Sequence, residues 1–386
     1  MTAEGTTGTP AATEAGGTTA GVVGGMAPDS RAERLRALAP VAVLIVLLAL
    51  PGLGVRVPVL FDGPLNNPGN LQLLATGFAL GIAALSYNLL FGYTGVLSFG
   101  HALFFGVGVY APTLALRRLR WDLGPAIVLT LVAGLLLALV IGAVALRTKG
   151  VYFSMVTLAF AQAGAVVVGK NPGGLTGGEE GLSLPTRNLP DLMVGVFNTK
   201  HLYWLTLIVL ILVYLLALRL VTSPTGHVWQ GIRENEARVE LLGLPAYRFK
   251  LLAFVLSALL ATVAGVTYLF LLGSATPRAV SADFTVTLLL MVIIGGSGSL
   301  WGPIAGAMLY HYLNVRLAVW AGSETVKALP AALGRPLSEP LFVFGVIFIL
   351  LVLFFPRGLA GTFVGRRLRP LRRATGLPAA GAGARE

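Results

Sequence analysis

Residues 124–146 read GPAIVLTLVAGLLLALVIGAVAL, a run without a single charged side chain. A membrane-spanning helix needs about 17–25 predominantly apolar residues, and this run meets that need. Comparable apolar blocks recur near 38–54, 71–91, 96–116, 151–169, 201–222, 250–273, 283–296, 299–320 and 338–356. The sequence therefore predicts an all-α polytopic membrane protein with about ten transmembrane helices. The division of residues 283–320 into helices stays open at this point.

The composition also indicates a membrane protein. Of the 386 residues, 11% are charged and 56% are hydrophobic, and the mean hydropathy is +0.83. Soluble proteins carry about 25% charged residues, so this chain is depleted in charge. The absence of cysteine excludes disulfides, thiolate metal sites and a cysteine nucleophile.

The net charge of +12 is concentrated beside the first and last apolar blocks. The basic residues there are Arg31, Arg34, Arg36, Arg357, Arg366, Arg367, Arg369, Arg372 and Arg373. Basic residues that flank spans mark the cytoplasmic side, whereas nucleic-acid binding would need aromatic residues among them.

We expect no nucleic-acid partner, a disordered cytoplasmic tail at 1–36, a transmembrane domain at 37–356 and a basic cytoplasmic tail at 357–386. The membrane is then the cell (cytoplasmic or inner) membrane.

Ten spans with both tails inside place the 223–249 loop in the cytoplasm and the 171–200 loop outside. Arg117, Arg118 and Arg120 then fall outside, against the positive-inside rule. Either the rule is bent there, or the glycine-rich stretch before them does not cross fully. The blocks 71–169 and 250–356 each contain four predicted helices of opposite sense. That arrangement is typical of inverted repeats, which build transport paths near the bilayer midplane.

Two glycine-rich segments interrupt the apolar blocks, GYTGVLSFGH at residues 92–101 and GGSGSLWGPIAG at residues 295–306. Each is either a broken or re-entrant helix that lines a path, or a tight turn and close helix packing. In the first reading Ser98 would cap the helix that follows. The candidate pathway residues are Tyr93, Thr94, Gly95, Ser98, Gly100, His101, Gly296 and Gly298.

His101 is the lone imidazole of the first glycine-rich segment. It could relay protons or line a pathway, but no acidic residue lies nearby in sequence. A hydrogen bond that cross-links helices is the favoured role.

No catalytic, metal or cofactor site is expected, because the four histidines are scattered. The run from Gly164 to Lys170 resembles a phosphate-binding P-loop. Asn171 stands where a Ser or Thr hydroxyl would be needed, and the glycines end an apolar block. No nucleotide site is predicted there.

The densest mixed charge lies at residues 226–243, GHVWQGIRENEARVELLG. Ile232 to Leu242 predict a short helix ended by Gly243, with Ile232, Val239 and Leu242 on one face that can insert into a groove. The balanced charge favours a protein partner over lipid, because membrane-surface helices are usually basic. The candidate docking residues are Trp229, Ile232, Arg233, Glu234, Asn235, Glu236, Arg238 and Gly243.

These segments together resemble the permease family of branched-chain amino acid ABC transporters, of the LivM type. The motifs that carry the resemblance are Gly92–His101, Thr176–Gly178, RENEAR at 233–238 with Gly243, YRFKLLAF at 247–254, and Gly298–Gly306. They follow the family's order and cover about residues 38–356. One departure is Glu179-Glu180, where the family pattern leads us to expect Ser-Asp.

The resemblance implies a permease subunit of an ATP-driven importer for branched-chain or other small amino acids. Its partners would be cytoplasmic ATPase subunits docked at 223–249, a second permease subunit, an extracytoplasmic binding protein and membrane lipid. Urea or a related small amide or acid is an alternative substrate. A secondary transporter would need intramembrane carboxylates, and a membrane enzyme a convergent acid, base or metal cluster; the sequence favours neither.

Overall fold

A computed structural model describes residues 45–52, 54, 56, 63–185, 190, 198–322, 339–355 and 358–361. The helices that we number α1 to α10 are Pro68–Asn88, His101–Leu114, Leu123–Ala145, Val151–Lys170, Thr199–Thr222, Pro224–Leu241, Ala246–Leu272, Ala282–Gly295, Gly302–Ala321 and Pro340–Phe354. Strands β1 (Leu182–Ser183) and β2 (Ser274–Ala275) pair antiparallel. The predicted all-α membrane architecture is confirmed. The predicted tail at 1–36 and most of that at 357–386 lie outside the described residues.

Five of the described helices, α1, α3, α4, α5 and α7, are long and apolar enough to cross a membrane. The buried share of each helix shows which helices are central and which are peripheral. The most apolar stretch of α1 is 94% buried and that of α7 is 72% buried, against 28–33% for α3, α4 and α5. Apolar helices that keep most of this surface exposed present it to lipid. The core therefore lies around α1 and α7.

The central helices α1 and α7 run antiparallel. Near the start of α1, Gln72 bonds the carbonyl of Leu271 at the end of α7. Near the end of α1, the Ser257 hydroxyl donates to the carbonyl of Ser86 at 2.8 Å. We call the end where α7 begins the α6 end, because Lys250 there meets Glu236 of α6. The opposite end, where α7 leads into β2, is the strand end.

Helix α2 begins inside the body of the protein. The helical path of α1 continues as a π-helical turn to Tyr93 at the α6 end, and residues 94–100 return without helical structure. His101, the first residue of α2, lies 2.9 Å from the Ser86 hydroxyl. Ser86 precedes Tyr93 by seven residues, or about 10 Å of helix. The block predicted at 96–116 is therefore a shorter helix that starts away from either end.

Helix α8 also begins inside the body. After α7, residues 276–281 turn back from the strand end, and the Ser281 side chain caps α8 at the Phe284 amide. The Thr285 hydroxyl then accepts a hydrogen bond from the Ala102 amide at 2.9 Å, so α2 and α8 start side by side. With 14 residues, α8 is about 21 Å long, less than the roughly 30 Å of a bilayer core.

The remaining helices agree with the predicted blocks. Residues 296–301 separate α8 from α9, which settles the division of residues 283–320. Helix α10 contacts α9 through Tyr310 and Phe344, whose ring centroids lie 4.8 Å apart. The Arg118 guanidinium donates to the carbonyl of Gly174 at the strand end, at 2.7 Å. The three arginines at 117–120 therefore lie at the end opposite α6.

Helices α2 and α7 touch through glycine. A methyl group at Gly265 would lie 2.1 Å from the carbonyl oxygen of Phe105 and 3.0 Å from Cα of Gly108. Small residues permit such close packing between membrane helices. Any side chain at this crossing must push the helices apart.

We predict that Gly265→Ala lowers the thermal stability of the purified protein, since overpacking costs about 1–3 kcal/mol. Gly169→Ala in α4 is the control, because its new methyl group would meet nothing within 4 Å. Both variants are compared by thermal unfolding in detergent. Equal midpoints for Gly265→Ala and the control would contradict the crossing.

Candidate functional site

The side-chain amide of Asn88 joins α1 to the second glycine-rich segment at the α6 end. Its oxygen accepts a hydrogen bond from the Gly298 amide at 2.9 Å, and its nitrogen donates to the Ser299 carbonyl at 2.8 Å. Asn88 is fully buried near the end of α1. A buried amide satisfied on both sides holds two backbones in a fixed relation. Sequence reasoning missed it, although an Asn in an apolar helix just before a glycine-rich break was the available signal.

Arg233 connects α6 to the same place. Its guanidinium donates to the carbonyl of Gly92. A methyl group at Gly298 would lie 2.9 Å from the Arg233 guanidinium, and one at Gly95 would lie 3.0 Å from its side-chain carbon Cγ. Gly95 and Gly298 also have positive φ angles of 75° and 80°, which favour glycine. The predicted docking residue Arg233 and two of the predicted pathway glycines, Gly95 and Gly298, therefore form one cluster.

A second contact fastens α6 to α7. The Lys250 ammonium lies 2.7 Å from a carboxylate oxygen of Glu236, and the Lys250 side chain is only 8% exposed. Lys149 reaches the same oxygen at 4.0 Å. Removing one partner of a buried ion pair leaves an uncompensated charge, so the contact holds both side chains in place. Glu236 is thus an anchor of α6 within the protein.

Apolar contacts complete the anchoring. The indole nitrogen of Trp229 donates to the Phe249 carbonyl at 2.9 Å, and the side chain is fully buried. Ile232 and Val239 form a buried cluster with Ala246. The face of α6 that we predicted to insert into a partner is therefore occupied by α7. That part of the prediction is wrong, because helical periodicity identifies an apolar face but not what covers it.

The bounds predicted for this helix are also corrected. It begins at Pro224, where Ser223 accepts a hydrogen bond from the Gly226 amide, and it extends to Leu241. Asn235 interrupts it with φ −162° and ψ 101°, and its side chain caps the following turn at the Arg238 amide. Gly243 follows with φ 81°, at the predicted helix end.

One face of α6 remains exposed. Leu242, predicted on the buried face, is 74% exposed, and its neighbour Leu241 is 88% exposed. The other exposed residues of this part are Arg233, Glu234, Asn235, Ala237, Arg238, Glu240 and Gly243. Two exposed leucines among charged side chains are typical of a protein contact surface.

The remaining pathway candidates lie at two levels. Tyr93, Thr94 and Gly296 lie at the α6 end, where Thr94 and Gly95 line a cavity of about 370 Å³ with Glu236 and Lys250. Gly100 lies deeper and contacts the backbone of Thr157 in α4. The structure thus places these candidates at the α6 end and at the start of α2.

Ser98 and His101 lie at the deeper level. Ser98 accepts a hydrogen bond from the Gly100 amide, but the helix itself begins without a side-chain cap. The Ser86 hydroxyl donates to the Ala83 carbonyl, so His101 donates its Nε2 hydrogen to Ser86. This is the cross-linking arrangement, which joins α2 to α1. Nδ1 of His101 is buried without a partner among the described residues.

Several further residues of the site were not singled out in the sequence. Thr157 of α4 accepts from the Phe99 amide, and Thr285 of α8 from the Ala102 amide. Threonines in apolar helices carry no signal for so specific a role. The P-loop-like run at 164–170 is part of α4, so its backbone amides are engaged within a helix.

Fold and site together define a multi-pass membrane protein with a charged helix fastened to its spans. A model of the family described as the branched-chain amino acid transport system / permease component matches residues 70–352. The chain belongs to that family.

Individual relatives give the same result. The high-affinity branched-chain amino acid transport system permease protein LivM of Escherichia coli is 30% identical over 253 residues, 59% of each chain. The probable branched-chain amino acid transport permease protein LivM of Methanocaldococcus jannaschii is 27% identical over 317 residues, 72% of this chain and 89% of that protein. The match to the first relative thus covers less than two thirds of its length. No solved structure matches significantly.

We predict that Glu236→Gln loosens α6, because it leaves the buried Lys250 ammonium without its nearest carboxylate. Amide hydrogen exchange across residues 224–241 should accelerate by roughly tenfold or more. Glu240→Gln, an exposed change on the same helix, is the control and should leave exchange unchanged. Adding Lys250→Met to Glu236→Gln should restore part of the protection, whereas equal exchange in the two Gln variants would contradict the anchor.

Proposed function

We propose that this chain is a permease subunit of an ATP-driven importer for branched-chain or other small amino acids. The observation that carries the proposal is that the two sides of α6 have different surroundings. Its inner side is fixed to the spans through Trp229 and Glu236, the exposed Arg233 at the edge of that side reaches Gly92, and its outer side is exposed. The family match and the names of the relatives support the substrate class.

The proposed mechanism is that ATPase subunits bind the exposed side of α6 and displace it when they close on ATP. Because Arg233 contacts the backbone at Gly92 and lies against Gly298, a displacement of α6 would move both glycine-rich segments. These segments precede α2 and follow α8, the two helices that begin inside the body. A shift of the pair would switch the path between its inward-open and outward-open states.

We further propose ten spans that include an inverted repeat of α1–α4 and α7–α10. Support comes from the central pair: α1 and α7 run antiparallel, and each is followed by a returning segment and a helix that begins inside. Discontinuous helices at a repeat interface commonly hold the substrate near the bilayer midplane.

The proposed orientation places α6 and both chain ends in the cytoplasm, in the cell membrane. Gly358, which follows α10, lies against Gly296 at the α6 end, in favour of a cytoplasmic C-terminal side. The arginines at 117–120 then lie outside, so the positive-inside rule is bent there. The other proposed partners are a second permease subunit, an extracytoplasmic binding protein and lipid, with no nucleic acid.

We predict that Leu241→Asp with Leu242→Asp abolishes co-purification of the ATPase subunits. Burying one leucine contributes about 1.5–3 kcal/mol, so losing two should weaken association by at least about a hundredfold. Leu175→Asp, an exposed change at the strand end, is the matched control and should retain the ATPase. Since Glu236 is an anchor, this pair tests docking without loosening α6.

Membrane insertion and solubility of each variant are checked first by size-exclusion chromatography. Full ATPase association by the double aspartate variant would overturn the role of α6. Uptake driven by an ion gradient without any ATPase would overturn the importer itself.

A further inference from the structure

A cavity of about 420 Å³ opens at the strand end, a volume within the range of small-molecule sites. Its walls include Phe105 of α2, Tyr268 of α7 and Phe284 of α8, together with Glu179 and Arg278. Phe105 and Phe284 lie within the first turns of the two helices that begin inside the body. The cavity therefore extends from the strand end toward the place where α2 and α8 meet.

The inner wall of the cavity is aromatic. The Phe105 ring lies 4.6 Å from that of Phe284 and 5.3 Å from that of Tyr268, measured between centroids. Phe105 is fully buried, whereas Tyr268 and Phe284 are half-buried. Three rings from three helices form an apolar surface that suits an aliphatic side chain.

The mouth of the cavity carries two opposite charges. Glu179 and Arg278 are exposed, and neither forms an ion pair with another side chain in the described part of the chain. Their charges are thus available to a ligand. Exposed charges without an ion-pair partner are common on protein surfaces. Glu179 and Arg278 differ because both side chains also line a cavity with an aromatic wall.

The backbone fixes the two charges relative to each other. Glu179 lies in the turn Gly178–Glu180, just before β1, and Arg278 lies in the turn Pro277–Val280, just after β2. Pairing of Leu182 with Ala275 joins the two strands. A methyl group at Gly181 would lie 2.1 Å from the Ala275 carbonyl oxygen, so the two segments touch.

We propose that this cavity binds a zwitterionic α-amino acid with an apolar side chain. Arg278 binds the carboxylate, Glu179 binds the ammonium group, and the aromatic wall receives the side chain. A fixed pair of opposite charges selects a molecule that carries both, over an amine or an acid alone. The site rests on the proposed function and adds to it a place where the substrate contacts the permease itself.

The test uses the complete transporter, with its ATPases, second permease and binding protein, in proteoliposomes. Glu179→Gln and Arg278→Gln should each lower ATP-driven uptake of radiolabelled L-leucine by about tenfold or more. Glu180→Gln is the matched control, since the adjacent carboxylate does not line the cavity, and its uptake should equal that of the wild type. Stimulation of ATP hydrolysis by the binding protein should persist in all three variants, because the proposed site does not dock it.

A second measurement addresses selectivity. Isoamylamine, which is leucine without the carboxylate, and 4-methylpentanoate, which is leucine without the ammonium group, are tested as inhibitors of leucine binding to the detergent-solubilised complex without binding protein. Each should compete with leucine on the wild type at least about tenfold more weakly than unlabelled leucine does. Isoamylamine should lose less affinity than leucine on Arg278→Gln, and 4-methylpentanoate less than leucine on Glu179→Gln.

The outcomes separate this site from the proposed function. Wild-type leucine uptake with equal uptake by Glu179→Gln and Arg278→Gln would overturn the site and leave the importer standing. Loss of uptake together with loss of binding-protein stimulation would assign the two charges to docking instead. Absence of uptake of any amino acid by the wild type would overturn both.

Discussion

Helices α2 and α8 begin within the body, where the amide groups that every helix leaves free at its start need hydrogen-bond partners. Hydroxyl side chains supply these partners. Thr285 of α8 accepts from Ala102 of α2, Ser281 accepts from Phe284 in the same helix start, and Thr157 of α4 accepts from Phe99, two residues before α2. Without these hydroxyls a start at this depth would cost several kcal/mol for each unpaired amide. The positions of the surrounding helices are therefore constrained by where these hydroxyls must lie.

The same constraint explains the shape of the α6 end. A chain that returns into the body must turn sharply, and glycines at positive φ permit the turn while leaving room for neighbours. Gly95 and Gly298 leave room for Arg233, and Gly92 leaves room for Asn88. Side chains of α1 and α6 thus contact the turns directly. A residue larger than glycine at these positions would leave no room for those side chains. The polar contacts of Asn88 and Arg233 therefore hold the glycine-rich backbone in one arrangement.

The sequence predicts most of the fold. Apolar blocks locate every described membrane helix, and the glycine-rich runs at 92–101 and 295–306 mark the true breaks. The sequence does not predict which residues of the chain contact one another. Periodicity placed Ile232 and Val239 on one face, but α7 covers that face, and Glu236 pairs with Lys250 fourteen residues away. Such contacts depend on how helices fold back on one another, which local pattern does not encode. Thr285 was missed for the same reason, whereas Asn88 stands in an apolar helix just before a glycine-rich break, which was a usable signal.

These contacts form a continuous connection from α6 to the cavity at the strand end. Arg233 bonds Gly92, which touches Asn88 of α1; two residues earlier on α1, Ser86 bonds His101 of α2. The next residue of α2 bonds Thr285 of α8, beside Phe284 in the cavity wall. The Arg233 bond is partly buried, and the bonds of His101 and Ala102 are buried. Contacts of this kind in a packed interior resist stretching. We therefore expect the displacement of α6 proposed above to move α1 together with the starts of α2 and α8. Those starts carry Phe105 and Phe284, two of the three rings of the cavity wall, so such a movement would also change the cavity at the strand end.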